Sequence, residues 1–404
     1  MISSKRSPIS NTWPKNARLG FILGTNSACG ADGRVHMNHA NGRLIDAIAE
    51  RTGGARLCVP ILPEIDRGMT HVLQIEPHDV VKLPPLRSTI HAQRYFFSAR
   101  RILRQFASTV DVLFLRFPFQ LPRALLGLPQ PKLLHIAGDS TEAIKISADY
   151  RGLKRFAAER FASDAHATMQ RIVGEPHTRV ATNGADMWSK LGCHAGRVVV
   201  SSCIYQHEMV PKENLDRHDP PRILFVGYLR PEKGVDILLD AFDQLRAKRK
   251  LSLTIVGGSD RATGAEQEIR DRVAASPFRE DIRIKGMIDF GDALFDLYRE
   301  HDLYVLPSRS EGTPRSVVEA RALGCPAIAT RVGGVPTSIT DGENGLLVPP
   351  NDPTALANTM QRVLDDEPLR QRLAQTGIDQ RSRYSLETFA DQLVGELEQL
   401  VPPH

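Results

Sequence analysis

LPSRSEGTPRSVVEARALGCPAIATRVGGVPTSITDGENGLLVPPNDP, residues 306–353, sets a short apolar run, a glycine-bearing loop and a helix start in direct succession. The strand is expected to end at Ser308, with Pro314 in the first turn of the helix, where a missing N–H does no harm. The amides of Gly312, Thr313 and Arg315 would then face the space beyond the strand, where the positive end of the helix dipole can hold phosphate. Glu311 precedes the helix, and Glu319 lies about a turn and a half inside it. One carboxylate therefore stands at the mouth of that space and the other deeper. A carboxylate accepts two hydroxyls at once, which suits a ribose or a vicinal sugar diol. Gly333 and Gly334 read as a tight loop beside the same space.

Outward from this stretch the pattern repeats. RILFVGYL (222–229), LSLTIVGG (251–258), IRIKG (282–286), LYVLPS (303–308) and PAIAT (326–330) are short apolar runs, with helical spacing at 234–248, 263–274, 291–300 and 314–323. Strands alternating with helices predict a mostly parallel, doubly wound sheet. A less regular series precedes it: RLGFILGTN (18–26), ARLCVPIL (55–62), DVLFLRF (111–117) and KLLHIAG (132–138), with a helix in HMNHANGRLIDAIAERTG (36–53). Gly24, Gly30 and Gly33 form no GxGxxG and mark only a loop of close backbone approach. The polar, proline-containing stretch 207–221 separates the two series. The expected architecture is α/β, with two Rossmann-like doubly wound units facing a cleft. Residues 1–205 form the first and 206–385 the second, and the last helix, 386–400 within the segment 386–404, returns to the first. Ligands of such sheets bind beyond the carboxyl ends of the strands.

Composition narrows the class. With 41% apolar and 25% charged residues, the 404-residue chain reads as globular rather than disordered. No window approaches the ~18 to 20 apolar residues of a membrane-spanning helix. The polar opening MISSKRSPISNTWPKNAR lacks an apolar signal core, and five scattered cysteines fit a reducing cytoplasm. No CxxC or HxxxH spacing offers a metal cage. The net charge of +5 is unevenly spread: 27 Lys and Arg against 15 Asp and Glu in residues 1–205, a balance of +12, and −7 beyond. The basic half is expected to meet something anionic.

The quoted stretch resembles the family 4 (group 1) glycosyltransferases, the retaining group with the GT-B fold. The resemblance rests on the pair Glu311–Glu319, on EARALGCPAIAT (319–330), and on the loops RVGGVP (331–336) and DGENGLLVPPNDP (341–353). VGYLRPEKGVDILLDAF (226–242) is similar to the same family's phosphate-binding segment, and LTIVGGSD to its next strand. The likeness is strong over roughly 222–365 and weak over 1–205. It implies that Glu319 binds the donor ribose, Glu311 holds hydroxyls of the transferred sugar, and Lys233 neutralises the diphosphate with amides at Gly312 and Thr313. Backbone near Lys285–Met287 would read the base. In the first half, His135 matches the histidine that the family places beside the reacting sugar. A structural role for that histidine stays open, as does a structural ion pair for Arg116, the other candidate on the acceptor side.

Two departures stand out. Tyr228 occupies the position where the family has Arg, leaving Arg230 to supply charge from a shifted position. VVVSSCI (198–204) replaces an apolar-Pro-Asn-Gly turn, so the hinge is expected to be built differently. The function implied is transfer of a hexosyl group from a UDP- or GDP-sugar, without metal or other cofactor, to a glycan or polyprenyl-diphosphate-linked acceptor in bacterial surface polysaccharide synthesis. A nucleotide-sugar epimerase, a disaccharide phosphorylase and a non-catalytic sugar-nucleotide-binding subunit are the alternatives. RYFFSARRILRQF (94–106) is basic and amphipathic: either a membrane-surface element, which would make this cytoplasmic protein peripheral on the inner face of the membrane, or a core helix with a solvated edge. No recognised module supports nucleic-acid binding.

Overall fold

The computed structural model describes residues 13–86, 89–139, 152–258 and 264–401. Most of the polar leader (residues 1–12), the Ser259–Asp260 end of LTIVGGSD and residues 402–404 lie outside the described residues.

Both sheets have parallel frames. In the second, Ile282–Gly286, Ser252–Val256, Arg222–Val226, Leu303–Leu306, Ala327–Thr330 and Leu346–Val348 lie side by side in that order. The chain runs outward from Arg222–Val226 in one direction, then returns and runs outward in the other from Leu303–Leu306. The loops leaving these two adjacent strands diverge to opposite faces and open a crevice at their carboxyl ends, the place where doubly wound sheets bind ligands. Residues 227–234 and 307–314, which contain Lys233 and Glu311, are those loops.

The first sheet repeats the device. Leu19–Leu23 is flanked by Arg56–Leu62 on one side and Val112–Phe117 on the other; Lys132–Ile136, Thr178–Asn183 and Gly196–Val199 continue outward, and Val80–Leu83 completes the opposite edge. Its crevice therefore opens between Gly24 and Pro118. The sequence pattern does not reveal an added antiparallel ribbon, Ser27–Cys29, Val35–Met37 and His71–Val72, whose strands of two or three residues are too short for a period-2 signal.

Packing explains which helices go where. The Leu386–Glu398 helix buries Leu386, Phe389, Ala390, Leu393, Val394 and Leu397 in one cluster with Phe21, Phe114 and Leu133 of the first sheet. Two charged contacts fix its rotation: Arg51 donates to Asp391 at 2.5 Å, and Arg179 donates to Glu396 at 2.6 Å. Ser385 caps the helix by accepting from the Thr388 amide at 3.2 Å. The Phe96–Ala107 helix covers the opposite face of the same sheet with Ala99, Leu103, Phe106 and Ala107. Between the sheets, the segment after Gly196–Val199 is anchored on the second half. Met209 enters that half's core, and Asp302 accepts from the His218 and Arg222 amides at 3.0 and 2.7 Å. Among the described residues no helix is long and apolar enough to cross a membrane.

Candidate active site

The crevice of the second sheet brings together residues that lie far apart in the chain. Lys233 ends a short 3-10 turn, Pro231–Lys233, and its ammonium donates to Glu311 Oε1 at 2.5 Å. Ser308 Oγ donates to the same oxygen at 2.7 Å. The lysine is held from behind. Arg309 reaches across to Asp236 with two hydrogen bonds, 2.8 and 2.6 Å, and donates to the Pro231 carbonyl at 2.6 Å. Burial alone would raise the Asp236 carboxyl, but the Arg309 hydrogen bonds and charge hold it below the usual value. A cation and a carboxylate thus meet at the carboxyl ends of two adjacent strands, ready to receive an anion and a pair of hydroxyls.

The helix that follows starts one residue later than the sequence suggests. It spans Arg315–Ala322 with Pro314 at the N-cap in an extended conformation, because the proline's carbonyl accepts from the Val317 amide at 3.2 Å. Glu319, only 5% exposed, accepts from the Tyr298 hydroxyl at 2.9 Å and from Cys203 Sγ at 3.6 Å. Burial lifts its carboxyl above the usual range, against the opposing pull of Arg315 and these two donors. Thr313 ties the helix start to the hinge through its side chain and carbonyl. Its Oγ1 accepts from the Ser201 amide at 2.9 Å, and its carbonyl accepts from Ser201 Oγ at 3.1 Å. The departure at 198–204 is therefore a different hinge, built from hydroxyl and thiol contacts to the helix start. Ser201, Cys203, Tyr298 and Ser308 are site residues that the sequence reading did not single out.

Arg230 does not stand free in place of the missing arginine. Its guanidinium lies over the Tyr228 ring, 4.6 Å from the centroid, and 3.6 Å from Glu232. Tyr228 is 41% exposed, and Met287, 52% exposed, lies against Gly258 at the next strand end. Lys285 is exposed one strand position before Gly286.

The crevice of the first sheet holds a cavity of about 300 Å³, lined by Thr25, Asn26, Asn41, Arg116, Gln120 and Ala137 among others. Arg116 and His135 are paired residues of neighbouring strands. Arg116 donates to His135 Nδ1 at 2.6 Å, so the ring proton sits on Nε2, which donates to Asn183 Oδ1 at 3.1 Å; Asn183 in turn donates to the Ala137 carbonyl at 3.2 Å. This corrects the place expected for His135. Its ring is wholly enclosed between Phe114 and Phe389, with centroids 5.7 and 5.6 Å away, and does not face the cleft. Successive residues alternate faces, so the last-helix face that carries Phe114 and Leu133 ends in Arg116 and His135. Burial, then the Arg116 charge, pushes the histidine well below its ordinary value, so it stays neutral and holds the arginine in place. Among the described residues, the side-chain partner shown for Arg116 is His135.

The two crevices face each other at close range. A Cβ on Gly312 would stand 2.6 Å from the Ala137 carbonyl, so only glycine lets the helix start approach the first-sheet cavity. At the far edge, His39 packs on Phe290 at 4.5 Å, and Arg43 pairs with Glu208 at 2.8 Å. Arg315 projects between the halves, close enough for its charge to act on both Arg116 and Glu319.

Two doubly wound sheets with facing crevices define the GT-B fold of glycosyltransferases. Sucrose-phosphate synthase from Thermosynechococcus elongatus superposes with TM-score 0.71 at 20% identity, over 95% of this chain and 99% of that one. Anabaena HepE in complex with UDP-glucose superposes with TM-score 0.67 at 17% identity, over 95% and 99%. Residues 207–380 match the family described as glycosyl transferases group 1. Similar curated proteins include a D-inositol 3-phosphate glycosyltransferase of Corynebacterium efficiens, 33% identical over 175 residues, 42% of this chain and 41% of that protein. An alpha-D-kanosaminyltransferase of Streptomyces kanamyceticus is 33% identical over 266 residues, 63% and 64% of the respective chains. The alignments thus span less than two thirds of these relatives.

Proposed function

We propose that the protein is a retaining, metal-independent glycosyltransferase that moves a hexosyl group from a UDP- or GDP-sugar to an acceptor hydroxyl. The observation that carries this reading is the Lys233–Glu311–Ser308 cluster beside buried Glu319 at the switch point of the second sheet. Lys233 and the amides at 312–313 would offset the diphosphate charge, Glu319 would hold the ribose, and Glu311 would hold the transferred sugar. HepE, a neighbour in fold, was solved with UDP and with UDP-glucose, which supports a nucleotide-sugar donor here. The donor falls to residues 206–385, and the acceptor to 1–205 with the returning segment 386–404. In the transfer, the bond from the anomeric carbon to the diphosphate oxygen breaks as the acceptor oxygen bonds on the same face, and the acceptor proton passes to the departing phosphate. Cation and amide stabilisation of that departing charge does the work assigned to a metal elsewhere. The acceptor is a glycan or polyprenyl-diphosphate-linked glycan of bacterial surface polysaccharide synthesis.

Calorimetry with UDP, GDP and ADP, with and without EDTA, tests the donor assignment. One nucleotide is expected to bind equally in EDTA, and Lys233→Ala to weaken it by about tenfold or more, the loss expected when a charged hydrogen bond to phosphate is removed. Absence of binding to all three would mean that the Tyr228 departure marks a dead donor site and would overturn the transferase reading. Product formed without acceptor would favour an epimerase, and strict dependence on inorganic phosphate a phosphorylase.

The Phe96–Ala107 helix supports a peripheral membrane position for the same enzyme. Its inner face is core, while Phe97 stands 84% exposed beside exposed Arg101 and Arg104. Flotation with anionic vesicles is expected to carry the protein upward. Phe97→Ser combined with Arg101→Glu and Arg104→Glu should cut the bound fraction about fivefold or more, since each basic residue near an anionic surface contributes ~1 kcal/mol. Flotation indifferent to lipid charge or to these changes overturns the assignment.

A further inference from the structure

We infer that the acceptor carries a phosphate group and that Arg116, assisted by Arg315, holds it in the cavity of the first sheet. This rests on the transferase reading and names the chemistry of its acceptor.

The cavity lies at the carboxyl ends of Leu19–Leu23, Val112–Phe117 and Lys132–Ile136, the switch point of that sheet. It borders Ala137, whose carbonyl is the group that Gly312 approaches, so a ligand there sits next to the start of the donor-side helix. Its size, about 300 Å³, is at the lower end for small-molecule sites and takes one sugar ring with its phosphate rather than an extended glycan. Among the described residues its lining carries no carboxylate and includes the polar side chains of Thr25, Asn26, Asn41 and Gln120. Asn26 Oδ1 and Gln120 Oε1 are buried there without hydrogen-bond partners, and buried oxygens of this kind call for hydroxyl or amide donors.

Arg116 supplies the charge. Other arginines around the cleft are matched: Arg43 by Glu208 and Arg309 by Asp236. Arg116 is held instead by neutral His135, and among the described residues no carboxylate stands within ion-pair reach of it. A second cation, Arg315 at the start of the facing helix, adds positive charge that acts on it from the opposite half. A guanidinium with no carboxylate partner among the described residues, beside a cavity lined by the side chains of Thr25, Asn26, Asn41 and Gln120, describes a receptor for a phosphorylated polyol, because planar guanidinium donors match phosphate oxygens. The hydrogen-bonded chain from Arg116 through His135 and Asn183 to the Ala137 carbonyl makes His135 a positioning residue for this receptor.

The same chemistry could come from a soluble sugar phosphate or from the diphosphate of a lipid-linked sugar. The test uses the full chain saturated with UDP, so that phosphate cannot occupy the donor crevice. Inorganic phosphate is titrated calorimetrically, followed by glucose 6-phosphate against glucose, and farnesyl-diphosphate-linked N-acetylglucosamine against free N-acetylglucosamine. Phosphate should bind, and one phosphorylated ligand should bind about tenfold or more tighter than its neutral partner; which pair shows the difference identifies the source. Arg116→Gln should remove that preference and leave UDP affinity within about twofold, and Arg116→Lys should restore part of it. Equal affinity for charged and neutral ligands overturns the inference, as does an Arg116→Gln variant that still binds phosphate like the parent. Parallel loss of UDP affinity would also overturn it, by assigning Arg116 to the donor diphosphate. Should Arg116→Gln fail to fold, exposed Arg315→Gln carries the test, with a loss of about threefold or more expected and no change overturning the inference. If UDP does not bind, the titrations are run with GDP; if neither binds, the transferase reading fails on its own, while phosphate binding that depends on Arg116 remains separately measurable.

Discussion

Glu319→Ala is expected to weaken use of the donor nucleotide-sugar by about tenfold to a hundredfold, the range set by losing a charge-assisted pair of hydrogen bonds to a diol. The side chain sits at 5% exposure with Tyr298 and Cys203 donating to it, so its two oxygens are aimed before any ligand arrives. Stability should change little, because two effects oppose. Truncation strands the buried Tyr298 hydroxyl, which costs ~1–3 kcal/mol. It also removes a buried carboxylate whose ionised form burial disfavours. Glu319→Gln, which keeps the shape and one acceptor oxygen, should fall between parent and alanine. The raised carboxyl also gives a pH signature. A carboxyl whose folded value lies above its unfolded value adds stability only in its protonated form, as pH falls. Hydroxyl recognition needs the ionised form. On acidification, UDP affinity should therefore begin to decline above pH 4.5, the ordinary value, and Glu319→Gln should abolish that limb. Donor kinetics unchanged in Glu319→Ala would remove this residue from the site.

The second half was legible because its signals are local. A strand, a glycine loop and a helix within a dozen residues announce themselves by spacing alone, and the ordered segments from Tyr228 to Asp352 fall where the spacing puts them. Even there, the partner of Glu319 was out of reach: Tyr298 comes from a different helix, and nothing in DALFDLYR marks its hydroxyl as aimed at a carboxylate. The first half hid more. Arg116 and His135 are separated by 19 positions, and His135 and Asn183 by 48, and only strand register brings them together. His135 reads equally well as a cleft residue or a buried one, since a strand-end histidine has one face in solvent unless another element covers it. What covers it is Phe389, from a helix near the carboxyl end of the chain. The hydrogen bonds of the Thr313 side chain and carbonyl were out of reach for the same reason. Its partner Ser201 belongs to the hinge, 112 positions away, and hinge geometry is a property of how two sheets face each other.

Gly333→Ala is expected to destabilise the second half by ~3–5 kcal/mol, combining left-handed strain of ~1–2 kcal/mol with a backbone clash. Gly333 has φ of 47°, and a Cβ built on it would stand 2.0 Å from the carbonyl oxygen of Glu311. No flexible side chain can yield there, so one of two backbones must move. The carbonyl in question also accepts from the Gly334 amide at 3.3 Å, which ties the RVGGVP loop to the residue that pairs with Lys233. The two effects can be separated with Gly342→Ala. That residue has φ of 78° but nothing within 4 Å of its Cβ position, so alanine meets only the strain of ~1–2 kcal/mol. Scanning calorimetry should show Gly333→Ala unfolding roughly 10 °C below the parent, with Gly342→Ala only a few degrees below. UDP affinity measured well below both transitions should fall in Gly333→Ala and hold in Gly342→Ala, because only the first displaces Glu311 from Ser308 and Lys233. Equal behaviour of the two variants would mean that the loop merely turns the chain. The expected split would mean that a glycine more than twenty positions away sets the position of the carboxylate at the mouth of the donor crevice.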